Sequence, residues 1–256
     1  MIIRELRKLK TTFNQLGPKD IYIGSISTKH LELSIMIDLL ERGVTCLPSC
    51  LAQMLNRSKI TQALILKEYM APLTLVITRR IELLNAINLY NKNGIGQVVT
   101  KEDQKHCGHG VRLWDNIESL YSILGLEENS YPFVLQPLLT NFTDVRVIIV
   151  GDYIEAYTRE NPYNFRCNLA AGGKSTPYTL TQKQINFSQK IMARGKFPYA
   201  HIDLLIFENN IIHLSEIALS GGLKGAMIDH HELELKKQQV LGQIAARMDK
   251  DIVNSN

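Results

Sequence analysis

The sequence predicts an α+β fold opened by a short α/β unit, and three observations predict it. Residues 20–47 run strand, helix, strand, an order that favours parallel pairing. From residue 131 onward the strands come as hairpins. The composition, 45% apolar and 21% charged over 256 residues, is globular and excludes a collagenous or disordered chain.

The elements follow in order. Residues 20–25 (DIYIGS) form a strand. A helix over about 30–42 places Leu31, Ile35, Leu39 and Leu40 on one face and ends before Gly43. Val44 to Leu47 is a short strand cut by Pro48. Asn56 or Ser58 caps a helix over about 58–70, stopped by Pro72. A strand at 74–77 and a helix at 80–92 come next. The short strand Val98-Val99 then leads into a polar, glycine-containing loop at 100–110. Beyond the first hairpins lie a long loop at 160–177, a helix at 181–195, a hairpin at 201–217 and a last helix at about 229–248. His230-His231 starts that helix as a surface pair. No repeat, low-complexity segment or linker is visible.

The length allows one large domain or two small ones. Lys plus Arg number 29 against 25 acids, and a net charge of +4 makes no case for a dedicated nucleic-acid binder. Arg4, Arg7, Lys8 and Lys10 read as one solvated helix face, not as an RNA or membrane surface. Apolar runs reach only four residues, as in Val147-Ile148-Ile149-Val150, too short for a membrane span. The opening MIIRELRKLK carries charges within its apolar stretch and is not a secretory signal. Cys46, Cys50, Cys107 and Cys167 form no CxxC pair and read as reduced thiols of a cytoplasmic protein.

Two hairpins have a calculable register. If Asn209-Asn210 is a two-residue turn, Asp203 stands opposite Glu216 on one face. Opposed side chains there have Cβ atoms about 4.5–5.5 Å apart, and like charges repel. Either both carboxylates point to water, or a divalent cation such as Mg²⁺ sits between them. A one-residue slip would put them on opposite faces. Around Gly151-Asp152, a two-residue turn places Val145, Val147, Ile149, Ile154, Ala156 and Thr158 on a core face. Asp144, Arg146, Glu155 and Arg159 share the other, with Asp144 opposite Arg159. That polar face is either a solvent-facing ion-pair lattice or the floor of a site for phosphate or carboxylate.

Three loops add mobile backbone beside cations. Thr100–Val111 carries Lys101, Lys105, Gly108 and Gly110, but neither a Walker A motif nor a full GxGxxG. His106-x-x-His109 with Cys107 could be a fragment of a zinc site, but no other Cys/His cluster in the sequence supplies the missing ligands, which argues against zinc. Ala171-Gly172-Gly173-Lys174 and Ser220-Gly221-Gly222-Leu223-Lys224-Gly225 are the other two.

The order of these pieces carries a resemblance. It runs from Asn56-Arg57-Ser58-Lys59 through Lys101 before a glycine loop, the strand FVLQPLL and the Asp144-x-Arg146 hairpin. Arg159 follows, then Phe165-Arg166-x-Asn168-x-x-x-Gly172-Gly173, Asp203, Glu216 and Gly221-Gly222-Leu223-x-Gly225. Over about residues 55–245 this resembles the ATP-grasp superfamily, and within it the RimK-type glutamate or amino-acid ligases. The resemblance implies an ATP-grasp fold, two α+β lobes gripping ATP, with an abbreviated α/β N-terminal unit. Residues 1–55 would be that unit, 56–135 the first lobe and 136–250 the second.

It also implies roles. Lys59 and Lys101 match lysines that hold ATP phosphates. Gly108 and Gly110 match the loop that closes over them. Gln136, Pro137, Leu138 and Leu139 match the segment whose backbone reads the adenine edge. Asp203 and Glu216 match metal-binding carboxylates, in agreement with the register. Arg159 matches the arginine that stabilises the acyl-phosphate transition state, and Arg146, Arg166 and Asn168 match positions near acceptor and phosphate. The implied activity is an ATP-dependent carboxylate–amine ligase using Mg²⁺ or Mn²⁺ on small-molecule or peptide substrates. Departures stand beside the matches. The family reads Glu-x-Asn where this chain has Glu216-Ile217-Ala218, and Ala218 cannot coordinate a metal. By the register it lies opposite His201, and His201 or a backbone carbonyl could compensate. Lys101 needs a one-residue shift from the family's position, and Pro137 removes a backbone donor. Ala218 favours a rival reading, a non-catalytic nucleotide- or partner-binding protein that keeps the fold. The short lead-in leaves a sheet edge for a second subunit to cover.

Overall fold

Parallel pairing opens the fold, in a computed structural model that describes residues 1–28, 30–105, 110–164 and 172–254. Strands β1 (Ile2–Ile3), β2 (Ile21–Ile23) and β3 (Thr45–Leu47) form a three-stranded parallel sheet in the order β1-β2-β3. Helices α1 (Leu6–Thr12) and α2 (Glu32–Glu41) connect them. The expected strand–helix–strand unit is thus extended in front by β1 and α1. Two residues are too few to show a period, and α1 buries only Leu9. The inner face of α2 differs from expectation. Met36 and Leu39 are buried, whereas Leu31 and Leu40 are more than half exposed.

Two helices replace the single one expected at 58–70, namely α3 (Cys50–Arg57) and α4 (Lys59–Ile65). Each has its own serine cap. Ser49 accepts from the Ala52 N–H and Ser58 from the Thr61 N–H, both at 3.0 Å, so Ser58 is a cap and Asn56 is not.

A four-stranded antiparallel sheet follows, with strands β4 (Leu75–Ile77), β5 (Val98–Glu102), β6 (Val111–Trp114) and β7 (Phe133–Pro137). Their order is β4-β7-β5-β6. Helices α5 (Arg80–Lys92) and α6 (Ile117–Leu124) cover one face around Leu83, Tyr90, Leu120 and Phe133. The polar segment at 100–110 is shorter as a loop than expected, because β5 runs on to Glu102. β6 and α6 are additions to the predicted elements.

The largest sheet has five strands, β8 (Phe142–Val150), β9 (Tyr153–Glu160), β10 (Lys174–Pro177), β11 (Tyr199–Phe207) and β12 (Ile212–Ala218), in the order β10-β9-β8-β11-β12. β10 lies inside the expected 160–177 loop. Helices α7 (Gln182–Gly195) and α8 (His230–Asn254) complete the fold. The core of this sheet also takes in Ile21, Leu47, Leu55 and Leu66, so the opening parallel unit and α3–α4 share its packing. Among the described residues, no helix is long and apolar enough to cross a membrane.

The two hairpins position the site. β8 and β9 pair in the predicted register from Asp144 opposite Arg159 to Val150 opposite Tyr153. Val145 and Val147 are fully buried on the core face, while Ile154 at the turn is 37% exposed. β11 and β12 reach the predicted pairing of Asp203 with Glu216 by another route. The turn is not the two-residue Asn209-Asn210. Pairing of Ile206 with Ile212 and a Phe207 N–H bond to the Ile211 carbonyl leave a three-residue loop, Glu208–Asn210, with Asn210 left-handed at φ 55°. That alone would displace the register by one. A bulge then inserts Ser215, so that Leu204 faces Leu214 and Asp203 faces Glu216. The two irregularities cancel.

The outer edge of β12 is closed by side chains. Gln62 of α4 accepts from the Ile217 N–H (3.0 Å) and donates to the Ile217 carbonyl (2.9 Å) and the Leu55 carbonyl (2.7 Å). Asn56 of α3 accepts from the Leu219 N–H at 2.7 Å. A carboxamide thus stands where the next strand would be.

Candidate functional site

Alternation along β8, β9, β11 and β12 gathers Asp144, Arg146, Arg159, Asp203 and Glu216 on one face of the five-stranded sheet. Asp203 is central. Its neighbour across β8 is Arg146, whose Nε donates to Oδ1 at 2.7 Å and Nη2 to Oδ2 at 2.9 Å. This is a two-pronged pair. Arg159 adds a third contact, Nη2 to Asp203 Oδ2 at 2.9 Å, while the same nitrogen and Nε hold Asp144 Oδ1 at 2.6 and 2.7 Å. The polar face expected from the hairpin is therefore a buried lattice, not a solvent-facing one. Asp144, Arg159 and Asp203 are each less than a tenth exposed.

Burial and charge act on these groups in opposite senses. Burial pushes the Asp203 carboxyl up, and Arg146 and Arg159 together reverse this and hold it well below the usual carboxylate range. At Asp144 burial prevails over Arg159, and the nearby Asp203 adds to it, so this carboxyl is pushed up to about 6. Of the two acids, Asp203 keeps its charge to lower pH. Glu216, opposite Asp203, makes no hydrogen bond or ion pair with the described residues.

The four-stranded sheet contributes a cation, Lys101, and α4 a second, Lys59. Burial lowers the Lys101 ammonium on β5, and the fields of Glu216, Asp203 and Asp144 oppose that shift, while Lys59 adds to it. Lys101 thus meets the acidic lattice in space and Lys59 lies near Lys101, although the two lysines are 42 residues apart in sequence. Lys59, at the start of α4, donates to the Lys105 carbonyl. Asp103 anchors that helix start by accepting from the Ser58 hydroxyl at 3.0 Å and the Ile60 N–H at 3.3 Å.

The remaining predicted residues fall as follows. Gly110 closes the neck of its loop, with its carbonyl accepting from the Glu102 N–H at 2.8 Å. Its φ is +82°, and a Cβ there would stand 2.9 Å from Glu102 and Lys105 carbons. The Gln136 side chain is buried and donates to Thr74 at 2.8 Å. Pro137 has no N–H, and the Leu138 N–H is spent on the Gln97 carbonyl at 2.9 Å. The Leu139 N–H is the segment's donor with no partner among the described residues. Gly108, Arg166, Asn168 and the His106/Cys107/His109 trio lie outside the described residues.

Sequence reasoning assigned no role to four participants. Asp144 and Glu155 fall on the predicted polar face, but neither is given a part of its own there. Tyr157, 1% exposed, donates to the Gly222 carbonyl at 3.3 Å and so holds the 220–225 loop over the face. Gly221 comes so close that a Cβ would lie 3.0 Å from His201 Nδ1 and 3.2 Å from Arg146 Nη1. Glu155 accepts from the Met227 and Ile228 N–H groups and latches the end of the same loop. Acids between apolar residues on a hairpin were the available signal for Asp144 and Glu155. Nothing in the sequence marks Tyr157.

His201 does stand opposite Ala218. It is 3% exposed, and neither ring nitrogen has a hydrogen-bond partner among the described residues. Burial first, then Lys237 and Arg146, pull its imidazole down to about 4, so it is neutral at pH 7. It does not make up a metal trio. Among the described residues, no three His, Cys, Asp or Glu side chains converge to hold an ion. The donor set is two hard carboxylates, Asp203 and Glu216. That fits a Mg²⁺ carried on phosphates, which completes its shell with phosphate and water, better than a protein-only cage.

The comparisons with known proteins bear on the family and the fold. The model of the RimK-like ATP-grasp domain matches residues 54–240. D-alanine–D-alanine ligase from Bacillus anthracis, solved with ATP, superposes with a TM-score of 0.63 at 16% identity, covering 96% of this chain and 85% of that one. The macrocyclase MdnC from Microcystis aeruginosa, bound with the precursor peptide MdnA, gives 0.57 at 14% identity, covering 89% and 78%. The ATP-grasp ligase PsnB, with a precursor variant, Mg and ADP, gives 0.58 at 15% identity; 83% of this chain is covered, and it spans 66% of PsnB. At these identities the likeness shows an α+β fold of the ATP-grasp type. No curated protein matches the chain in sequence.

Proposed function

Since the chain belongs to the RimK-like ATP-grasp family, we propose that it is an ATP-dependent carboxylate–amine ligase working through an acyl phosphate. In this reading ATP lies between a first lobe, 56–135, and a second, 136–250, behind the lead-in 1–55. A substrate carboxylate oxygen attacks the terminal phosphorus, and the bond to ADP breaks. An amine then attacks the acyl carbon and loses a proton, the C–O bond breaks, and phosphate leaves with the electron pair.

One observation carries the proposal. Lys101, with Lys59 beside it, and the two arginines Arg146 and Arg159 meet at the same acidic face. Such a reaction needs little covalent help from the protein; placement and charge neutralisation suffice. Lys59 and Lys101 would bind phosphate oxygens. Arg159 and Arg146 would face the phosphoryl group in transit, with Arg166 and Asn168 near the acceptor. Asp203 and Glu216 would hold Mg²⁺, which neutralises phosphate charge when bound; Mn²⁺ has the same ligand preference. The Leu139 N–H would serve the adenine edge.

The test is ADP release with Mg²⁺ across a panel of carboxylates and amines, amino acids and peptides among them, with products read by mass. If no acceptor stimulates turnover while ATP still binds, the ligase reading is lost. The rival is a nucleotide-binding protein without catalysis. It is favoured by Ala218 and by the engagement of both Asp203 oxygens. Calorimetry of ATP with and without Mg²⁺ separates the two, since a ligase needs the metal.

A further inference from the structure

Three contacts from two guanidiniums hold Asp203. Both its oxygens accept from Arg146, and Oδ2 also accepts from Arg159. A divalent ion needs those same lone pairs. The surrounding charge gives no help. Arg146, Arg159 and Lys101 already match Asp144, Asp203 and Glu216 one for one, so a bare dication finds no uncompensated anion. A polyphosphate shifts that balance, because it supplies anions to the ion and to the guanidiniums alike.

The two arginines are not equivalent. Arg159 has 7% of its side chain exposed and is anchored on Asp144 by two nitrogens. Arg146 is 19% exposed, and beyond Asp203 it meets, among the described residues, the Gly222 carbonyl at 3.4 Å and the Tyr157 hydroxyl, with no second carboxylate to anchor it. Arg146 is the less firmly held of the two.

We propose that Arg146 is the resident counter-cation of Asp203, and that a divalent ion reaches Asp203 and Glu216 only by exchange with it. The exchange occurs when nucleotide phosphates draw the guanidinium off. Metal uptake is then obligatorily coupled to nucleotide, and Arg146 is a positioning residue that gates it. The inference rests on the nucleotide-binding reading above and goes beyond it, since that reading leaves open whether the ion binds alone.

The experiment is a Mn²⁺ titration of the full chain, with free Mn²⁺ read by electron paramagnetic resonance. It is run without nucleotide and with saturating ADP, after subtraction of Mn²⁺ held by ADP alone. The wild-type chain should bind Mn²⁺ at least tenfold more tightly with ADP. Without nucleotide, Arg146→Gln should bind Mn²⁺ at least tenfold more tightly than wild type, because Asp203 is unmasked. Arg146→Lys, which keeps a charge but loses the fork, should fall between and guards against misfolding of the first variant. Equal Mn²⁺ affinity with and without ADP overturns the proposal, as does an Arg146→Gln affinity equal to wild type. In either case ADP binding itself survives, and so does the functional reading. Should ADP bind neither with Mn²⁺ nor with a chelator present, both fall together.

Discussion

Gln62→Glu tests whether a side-chain amide stands in for a missing strand. Gln62 is 2% exposed, and its amide nitrogen donates to the carbonyls of Leu55 and Ile217 while its oxygen accepts from the Ile217 N–H. Glutamate has the same shape, so no cavity confuses the result. As an anion, however, it would offer only oxygens to two carbonyl oxygens. The buried acid therefore stays protonated, and keeping it so at pH 7 costs about 4 kcal/mol, at 1.36 kcal/mol for each unit above a free value near 4.3. The acid has one donor where the amide had two, and the hydrogen bond lost adds about 1 kcal/mol. The sum, about 5 kcal/mol at neutral pH, rivals the whole stability of a small domain. The sign follows from linkage. The introduced carboxyl has a folded pKa above its unfolded one, so its penalty is small below about pH 4.3 and grows as pH rises. Urea unfolding followed by circular dichroism, variant against wild type, should show the difference increasing by about 1.4 kcal/mol per pH unit from pH 5 to 7. A difference below about 1 kcal/mol that ignores pH would refute the claim that Gln62 closes the β12 edge.

Three further outcomes follow from the lattice. Arg159→Ala leaves Asp144 without its partner and Asp203 short of one; urea unfolding should register a loss of about 3–5 kcal/mol, and a loss under about 1 would mean the lattice contributes little. The Asp144 carboxyl, at about 6 in the fold, binds its proton more tightly there than in the unfolded chain. Its contribution therefore declines as pH rises from about 4 to 6, by at most about 3 kcal/mol, and Asp144→Asn should remove that part of the stability–pH profile. Gly221→Ala sets a methyl 3.2 Å from Arg146 Nη1 and 3.0 Å from His201 Nδ1; calorimetry should show weakened ADP binding with global stability changed by about 1 kcal/mol, and unchanged binding would separate the loop from the site.

What the sequence discloses depends on how local its cause is. The β8–β9 register is set by a two-residue turn and an unbroken alternation, so it can be calculated from residues alone. α3 cannot, because Cys50-Leu51-Ala52 followed by Met54-Leu55 is apolar without a clear period, and Pro48 suggests that the chain has stopped folding regularly. Gln62 and Asn56 look like ordinary polar helix positions. Their role depends on β12, more than 150 residues away, coming to rest beside them. The pairing of Asp203 with Glu216 is legible, but its engagement by two guanidiniums is not, since side-chain direction is set by Tyr157, Gly221 and the loop above. A signal for the bulge was present. The apolar positions Ile212, Leu214 and Ile217 keep a spacing of two and then three, which is the signature of one spare residue.

That spare residue changes how the gene can vary in length. A strand that serves a core on one side and chemistry on the other is normally intolerant of losing a codon, because every later side chain changes sides. Ser215 is an exception within β12. Without it Leu214 still meets Leu204, Glu216 still meets Asp203, and the ladder merely straightens. Loss of His213, two positions earlier, would instead strand Leu214 on the wrong side. The carboxylate and the core therefore keep separate time along one strand, and a deletion scan of this hairpin should be silent at a single serine.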